Sequence, residues 1–370
     1  AEPEELGFYC LYKKRDGDTN PPIPDCKNTS GVARRHATLL REASVDYVAI
    51  DVTNWPQMND ATDIAVVRPL EVLFEEWTDL RSQGIDTPMI SVWVSSPIAE
   101  YSDGHETTWQ HMLDRFYNNE TFADLIWRDE STKKKVFFVT ANNNFNKTVD
   151  EMIASNAARD DVKVVPMWAL FGKSDFEKGW FSFFSPCTDP DTSAFTTSML
   201  LTSSKNRSEN VECHQFVTRL DDSSTQITAS GSYMTSQCSL PFSSPGKLRG
   251  WTMQRLFQQI LETKPNDVFL SSWNELIGGR QKPAYVFVHS SFFVDYLHDF
   301  SSHDHTRRYT NAIAFNMGLP NDPQRFNVWV DTYGTEFSRD IEPTVEGGDV
   351  VYQMMKSCVG MYKRNETCTS

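Results

Sequence analysis

The chain has 370 residues, of which 39% are hydrophobic and 23% are charged, and its formal net charge at pH 7 is -15. This composition is that of an ordinary globular protein rather than of an intrinsically disordered chain. No apolar run approaches the roughly 20 residues that span a bilayer, so no membrane span is predicted. The negative charge repels polyanions, which argues against a nucleic-acid partner. The composition does not specify an oligomeric state.

Eight short runs rich in β-branched and aromatic residues predict strands. They lie at 7–12, 47–51, 89–95, 135–141, 162–170, 225–230, 267–273 and 327–333. Most of these runs are continuously apolar, as expected for parallel strands that are covered on both faces.

Segments with helical spacing lie between the predicted strands, at 33–43, 63–84, 108–127, 148–157, 248–264 and 350–364. This alternation predicts an α/β fold, and we interpret residues 1–370 as a single catalytic-type (β/α)8 TIM barrel. Long loop insertions at about 171–223 and 283–325 interrupt the alternation and are expected to cover or shape a site. The alternative architecture is an open doubly wound sheet, but the chain has no GxGxxG loop.

The seven cysteines show neither a CxxC pair nor a zinc spacing, so we expect disulfides rather than a metal site. The candidates are Cys10 with Cys26, Cys358 with Cys368, and Cys187, Cys213 and Cys238, which compete for a third bridge. The alternative is a set of buried free thiols in a cytosolic enzyme.

Five N-x-[ST] sequons provide candidate glycosylation sites. They lie at Asn28, Asn119, Asn146, Asn206 and Asn365. The chain also opens with AEPEE rather than methionine, as a mature end left by signal-peptide removal would. Sequons, cysteines and acidity together predict a protein of the secretory pathway, secreted or extracellular and of eukaryotic type.

Acidic residues, asparagines and tryptophans recur at the C-terminal ends of the predicted strands, which face one shared pocket in a barrel. They are Asp51, Asn54, Trp55, Trp93, Asn142, Trp168, Glu275 and Asp331. Indole faces stack on sugar rings while carboxylates and amides bind hydroxyl groups, so this set predicts a carbohydrate site. Each tryptophan could instead pack in the core, and Asp51 could instead be an N-cap or turn residue.

The stretch FLSSWNELIGG at 269–279 puts a carboxylate, Glu275, where a buried strand ends. Trp-Asn-Glu at 273–275 followed by two glycines resembles the WNEW-type motif of glycoside hydrolases of families 71 and 99. Ile-Glu-Pro at 341–343 is similar to the Glu-Pro that follows this motif in family 99-like barrels. The resemblance implies a (β/α)8 fold and hydrolysis of glycosides.

One departure from family 99 concerns the second carboxylate. In that family a glutamate three residues after the first supplies the acid/base, and here this position is Gly278. The candidates for a replacement are, in order, Asp331, Asp51 and Glu336. Asp340 and Glu342 are expected instead to pair with Arg339 or Arg280 as structural ion pairs.

Glu275 ends an apolar strand beside Trp273, an environment that raises a carboxyl pKa and favours a proton donor. We therefore interpret Glu275 as the general acid/base and Asp331 or Asp51 as its charged partner. The residues expected to bind substrate are Asn274, Trp273, Asn54, Trp55, Trp93, Trp168, Glu336 and Arg280.

The sequence thus predicts a secreted glycoside hydrolase that cleaves an oligo- or polysaccharide with no cofactor and no metal. His303 and His305 lie in a polar loop with no third ligand indicated, so we interpret them as solvated. One alternative is a catalytically degenerate carbohydrate-binding or structural glycoprotein on the same barrel. Another is a non-hydrolytic barrel enzyme such as a lyase.

Overall fold

A computed structural model of the chain shows a mixed α/β fold that divides into two compact units, one within residues 1–169 and the other within 170–370. The residues that the structure describes are 29–53, 58–94, 108–140, 160–167, 179–182, 217–231, 234–235, 238–239, 249–274, 278–281, 328–330, 340–343 and 348–366.

The first unit contains a parallel sheet. Its strands are β1 (Tyr47–Val52), β2 (Met89–Val94), β3 (Lys135–Thr140) and β4 (Val162–Met167), and their order in the sheet is β1-β2-β3-β4. All three pairs are parallel. Because the order in space follows the order in the chain, these four strands contain no reversal of the kind that marks a doubly wound sheet. Interior residues of β2 and β3 are buried on both faces, as their apolar runs predict.

The helices of the first unit are α1 (Thr29–Glu42), α2 (Asp60–Thr62), α3 (Arg68–Ser82) and α4 (Thr108–Met112). A π-helical turn at Asp63–Val67 joins α2 to α3, and another at Leu113–Tyr117 extends α4. Helix α1 packs on α3, where the buried indole N–H of Trp77 donates to the carbonyl oxygen of Ala33 at 2.9 Å. This bond joins the two helices through their buried faces.

The sheet opens between the beginnings of β2 and β3, and residues 125–128 enter the gap. The N–H of Ile90 donates to Leu125 O at 2.6 Å, and that of Trp127 donates to Ile90 O at 2.9 Å. On the other side, Val136 N donates to Trp127 O at 2.9 Å. The inserted segment therefore supplies hydrogen-bond partners for backbone groups at the beginnings of β2 and β3.

The hydroxyl of Tyr117 bridges the same opening further along the strands. It accepts the N–H of Val92 at 3.0 Å and donates to Val136 O at 2.7 Å. Burial raises the pKa of this phenol well above its usual value of 10.0, so it stays a neutral donor. One buried side chain thus satisfies a backbone donor on β2 and an acceptor on β3.

The second unit contains a sheet of three strands, β5 (Thr218–Arg219), β6 (Thr225–Ala229) and β9 (Asp267–Leu270), in the order β5-β6-β9. Strand β5 is antiparallel to β6, and β9 is parallel to it. Two short antiparallel pairs are β7 (Met234–Thr235) with β8 (Cys238–Ser239), and β10 (Gly278–Gln281) with β11 (Val328–Val330). Helix α5 (Trp251–Thr263) connects β8 to β9 and packs against α6 (Val350–Lys363).

Most of the predicted elements within the described residues are confirmed. Strands occur in the predicted runs 47–51, 89–95, 135–141, 162–170, 225–230, 267–273 and 327–333, and helices occur in 33–43, 63–84, 248–264 and 350–364. The strand predicted at 7–12, the helix at 148–157 and the insertion at 283–325 lie outside the described residues. The insertion at 171–223 is described only at 179–182 and 217–223. The closed barrel stays a prediction.

Strand β10 at Gly278–Gln281, which pairs antiparallel with β11, is not among the eight predicted strands. One local prediction is wrong. The helix predicted over 108–127 ends at Tyr117. The residues at 125–128, which the prediction included up to 127, instead pair with β2 and β3.

Candidate functional site

The candidate site lies in the second unit, at the C-terminal end of β9. Ser271 continues the pairing with β6 because its N–H donates to Ala229 O at 2.9 Å, and the peptide bond that follows it is cis. Trp273 and Asn274 come next and are half-buried. The C-terminal ends of parallel strands are where α/β proteins place their ligands, so these residues stand at a position suited to binding.

Residues 340–342 fold against this strand end. The N–H groups of Ile341 and Glu342 both donate to the carbonyl oxygen of Trp273, at 3.1 and 2.9 Å, and Ile341 N also approaches Ser272 O at 3.1 Å. Two successive N–H groups that converge on one carbonyl require a bent backbone rather than an extended one. The segment therefore wraps around the end of β9.

Two carboxylates are buried in that segment. Asp340 is 5% exposed and Glu342 is 8% exposed. Ionised groups persist at such positions only with partners, and the hydroxyl of Ser272 donates to Asp340 Oδ1 at 3.2 Å. The predicted ion pairs with Arg339 or Arg280 stay predictions, because both arginine side chains lie outside the described residues.

The ring of Trp273 is held from one side by helix α6. It meets Tyr352 edge-on, with ring centroids 6.2 Å apart and an interplanar angle of 76°. Tyr352 is itself buried, and the amino group of Lys356 lies 5.9 Å from its ring centroid. Core packing therefore accounts for part of the indole surface, and the rest of the half-buried ring is accessible.

One face of β6 is polar although it is buried. The side chains of Gln226, Thr228 and Ser230 alternate along the strand on that face, and all three are buried. The amide of Gln226 holds the backbone of Ser182, accepting its N–H at 3.0 Å and donating to its carbonyl oxygen at 3.2 Å. The hydroxyl of Thr228 donates to the same carbonyl at 2.6 Å. The polar face is thus satisfied from Gln226 to Thr228.

Ser271 extends this face at the end of β9. The register pairs Thr228 with Phe269, so Ser271, two residues further along, lies on the same face as Thr228 and Ser230. Its side-chain hydroxyl is buried and has no hydrogen-bond partner among the described residues. A buried hydroxyl without a partner carries a desolvation cost of about 1–3 kcal/mol, which a bound polar ligand would offset.

In the first unit, the structure describes two of the predicted site residues. Asp51 is exposed at the end of β1, and its Oδ1 accepts the N–H of Thr53 at 2.8 Å, as the turn-residue interpretation predicts. Trp93 is 1% exposed and pairs in register with Asp51 and Phe138, as the core-packing interpretation predicts. Neither geometry adds support for a role in binding sugar.

Most of the other predicted site residues fall in ranges that the structure does not describe. Those that lie outside the described residues are Glu275, Asp331, Asn54, Trp55, Asn142, Trp168, Glu336, His303 and His305. Arg280 lies in β10, with its side chain outside the described residues. Their assigned roles stay predictions.

Two of the five sequons fall within the described residues. Asn119 is half-buried, and its Oδ1 accepts the N–H of Thr121 at 3.0 Å in a short turn. Asn365 is exposed, with φ of 55° just after α6. Exposure makes Asn365 the more accessible of these two acceptor sites. The sequons at Asn28, Asn146 and Asn206 lie outside the described residues.

Cys358 is buried in α6, and the part of the chain that the structure describes contains no disulfide. Cys238 begins β8, with its side chain outside the description. The remaining cysteines, Cys10, Cys26, Cys187, Cys213 and Cys368, lie outside it altogether, so the predicted bridges stay predictions.

Within the described ranges, no helix combines the length and apolar character that crossing a membrane requires. The same residues contain no group of three or more His, Cys, Asp or Glu side chains arranged to hold a metal ion.

The contact between residues 340–342 and the end of β9 was not predicted from the sequence. The only sequence signal was Ile-Glu-Pro at 341–343, which the resemblance to family 99-like barrels had singled out without a position in the fold. For Asp340 and Glu342, the sequence had predicted only structural ion pairs. Comparison with protein-family models and with curated proteins finds no match to this chain.

Proposed function

We propose that the chain is a secreted glycoside hydrolase on a single (β/α)8 barrel, cleaving an oligo- or polysaccharide with Glu275 as general acid/base. The observation that carries the proposal is the junction at the end of β9. There, the residues leading into Glu275 are bonded to a segment that carries two buried carboxylates. Glycoside hydrolysis requires such acids around one bond.

Strand topology supports the barrel part of the proposal. Parallel strands β1 to β4 follow one another in chain order, as consecutive βα units of a barrel do. In the second unit, β6 and β9 are parallel neighbours, with α5 between them in the chain. A doubly wound sheet would require a reversal of strand order that these strands do not contain.

The proposed chemistry divides between two carboxyl groups. A protonated Glu275 gives its proton to the leaving glycosidic oxygen, while an ionised carboxylate acts at the anomeric carbon or on the attacking water. Separations of about 5–5.5 Å lead to retention and about 6.5–9.5 Å to inversion. The amide of Asn274 is suited to holding a sugar hydroxyl, and the exposed part of Trp273 to contacting a ring face.

Glu275→Gln tests this function directly. Wild type and variant are incubated with a panel of polysaccharides and aryl glycosides, and released sugar is measured. Removing the acid is expected to lower kcat by about 10² to 10⁴-fold on substrates with poor leaving groups. Glu262→Gln, an exposed change on α5, serves as the control and should leave release unchanged. Equal release by wild type and Glu275→Gln would remove Glu275 from the mechanism.

One observation favours a second candidate, a carbohydrate-binding glycoprotein that has lost catalysis. Gly278, at the position of the family 99 acid/base, is incorporated into β10 and pairs with β11. If this candidate is correct, oligosaccharides bind to wild type in calorimetry but no substrate of the panel is cleaved. Binding together with release of sugar would rule it out.

Secretion is proposed with the function. The exposed position of Asn365 supports it, since the acceptor of an N-linked glycan has to be accessible. Expression in a eukaryotic secretory host should yield protein in the medium that loses mass on enzymatic deglycosylation. An unmodified protein retained in the cytosol would contradict this part of the proposal.

A further inference from the structure

We propose that Ser271, with Ser230 beside it, binds hydroxyl groups of a neutral sugar at the C-terminal end of β9 and β6. This serine pair rests on the proposed function and deepens it, because it names the class of substrate and a place where that substrate is held. The residues that form the site all belong to the described part of the second unit.

The strand register brings the two serines together. It pairs Thr228 with Phe269 and Ala229 with Leu270, and the N–H of Ser271 continues the ladder by donating to Ala229 O at 2.9 Å. The serine pair therefore follows as the next neighbours across the sheet, about 4.8 Å apart, with both side chains on one face. Both are buried, at 0% and 1% exposure.

The position of the pair along the face is close to the protein surface. The N–H and carbonyl oxygen of Ser182 hold the side chains of Gln226 and Thr228. Ser230 lies two residues, about 6.6 Å, further along the strand direction. Directly beyond the pair, residues 272–274 are half-buried. The two hydroxyls thus lie just beneath the end of the strands, where parallel α/β folds bind their ligands.

The hydroxyl of Ser271 indicates what kind of group the site takes. Its Oγ is buried and has no hydrogen-bond partner among the described residues. A serine hydroxyl both donates and accepts, so another hydroxyl is a suitable partner for it, and such a bond would offset the cost of its burial. Sugars carry hydroxyl groups on adjacent carbons, which suits two neighbouring serines.

Charge at the same strand end selects among hydroxylated ligands. Asp340 and Glu342 are buried there, joined to the strand through the hydroxyl of Ser272 and the carbonyl oxygen of Trp273. Salt screens buried charges much less than exposed ones, so carboxylates at this position repel an anionic ligand. The net charge of -15 acts in the same direction. A neutral sugar is therefore favoured over a uronic acid or a sugar phosphate.

Calorimetric titration of the full chain with monosaccharides tests the site, since these ligands contain no glycosidic bond to be cleaved. Glucose, mannose and galactose form the neutral set, and glucuronic and galacturonic acid are the matched acidic sugars. Wild type is expected to bind at least one neutral sugar. The matched acid should bind about tenfold more weakly, because its carboxylate meets the buried negative charges.

Ser271→Ala removes only the hydroxyl. Binding of the neutral sugar should weaken by about tenfold. In the absence of sugar, the melting temperature should stay within about 1 °C of wild type or rise, because this hydroxyl has no partner to lose. Ser230→Ala is expected to weaken binding as well. These opposite effects on binding and on stability would not arise from a merely structural role.

Thr218→Val is the matched control. Thr218 is buried in β5, its hydroxyl likewise has no partner among the described residues, and it pairs with Gln226 at the other end of β6. This change should preserve both the melting temperature and the affinity for sugar. If wild type cleaves a polysaccharide, Ser271→Ala should also raise KM for it about tenfold and change kcat less, as loss of a binding group does.

The outcomes separate the site from the function. Unchanged binding and unchanged KM in Ser271→Ala would overturn the site and leave the hydrolase proposal intact. A melting temperature lowered by several degrees in Ser271→Ala would also overturn it, since the hydroxyl would then be bonded within the protein. Tighter binding of the acidic sugars would overturn the neutral class. Binding that Ser271→Ala weakens, without cleavage of any polysaccharide, would support the site and overturn only the hydrolase. Neither binding nor cleavage by wild type would overturn both.

Discussion

Tyr117→Phe removes one oxygen atom from the opening between β2 and β3. In the wild type this hydroxyl accepts Val92 N–H at 3.0 Å and donates to Val136 O at 2.7 Å. The ring stays in place, tilted against Phe137 with centroids 4.7 Å apart, so no large cavity forms. The loss is therefore confined to hydrogen bonding.

The two backbone groups are affected unequally. Val136 O still accepts the hydroxyl of Ser91 at 2.9 Å, whereas the buried N–H of Val92 loses its acceptor. An orphaned buried donor costs about 1–3 kcal/mol, so we expect Tyr117→Phe to lower the free energy of unfolding by about 2 kcal/mol. Ser91→Ala leaves Tyr117 on Val136 O and should cost about 1 kcal/mol or less.

Urea unfolding followed by tryptophan fluorescence measures both changes and the double variant. In the double variant Val136 O loses both of its donors, so its cost should exceed the sum of the single costs by about 1 kcal/mol. A Tyr117→Phe protein within about 0.5 kcal/mol of wild type would refute this reasoning. Strictly additive costs would show that the two hydroxyls do not share the acceptor.

The pH dependence gives an independent check. Burial raises the folded pKa of Tyr117 above its unfolded value of 10.0. The contribution of the neutral phenol to stability is therefore complete below about pH 10 and is lost as pH rises from there toward the folded pKa. Wild type should lose stability more steeply than Tyr117→Phe between about pH 9 and 11.

Two further predictions concern turns. Burial raises the pKa of Asp129, but hydrogen bonds from Lys163, Ser131 and Thr132 outweigh it and hold this pKa well below its usual value of 3.8. Asp129→Asn should therefore cost about 1–2 kcal/mol at neutral pH. This cost should begin to shrink as pH falls below about 4, the unfolded pKa, and should vanish only as pH falls through the depressed folded pKa, as denaturant titrations over this range will show. Gly179→Ala should lower the melting temperature by several degrees, about 1–3 kcal/mol, because φ is 74° and the new Cβ would lie 2.9 Å from Arg219 O. An unchanged melting temperature would contradict the strain argument.

The order and type of most elements followed from local patterns. MISVWV and KVFFVT are predominantly apolar, as parallel strands buried on both faces are, and the structure places them as β2 and β3. The amphipathic run at 350–364 likewise formed α6. Periodicity reports such elements reliably because burial of one face is decided within a few residues.

The run FLSSWN also indicated where polar side chains follow a buried strand, because a polar residue after a buried strand has to lie at the strand end. It did not indicate which acids meet Trp273. Asp340 lies 68 residues beyond Ser272, whose hydroxyl it accepts, and the neighbouring bonds of Ile341 and Glu342 involve backbone groups that every residue carries. Such contacts leave no pattern along the chain.

Local residue patterns by themselves determined the mixed α/β alternation and the buried character of its parallel strands. Tertiary structure decided that residues 125–128 enter the sheet, that Gly278 begins a strand, and that Asp340 and Glu342 are buried beside β9. The physical reason is that side-chain periodicity is a short-range property. The partner of a backbone donor or a buried carboxylate, in contrast, depends on which distant segment the folded chain brings within about 3 Å.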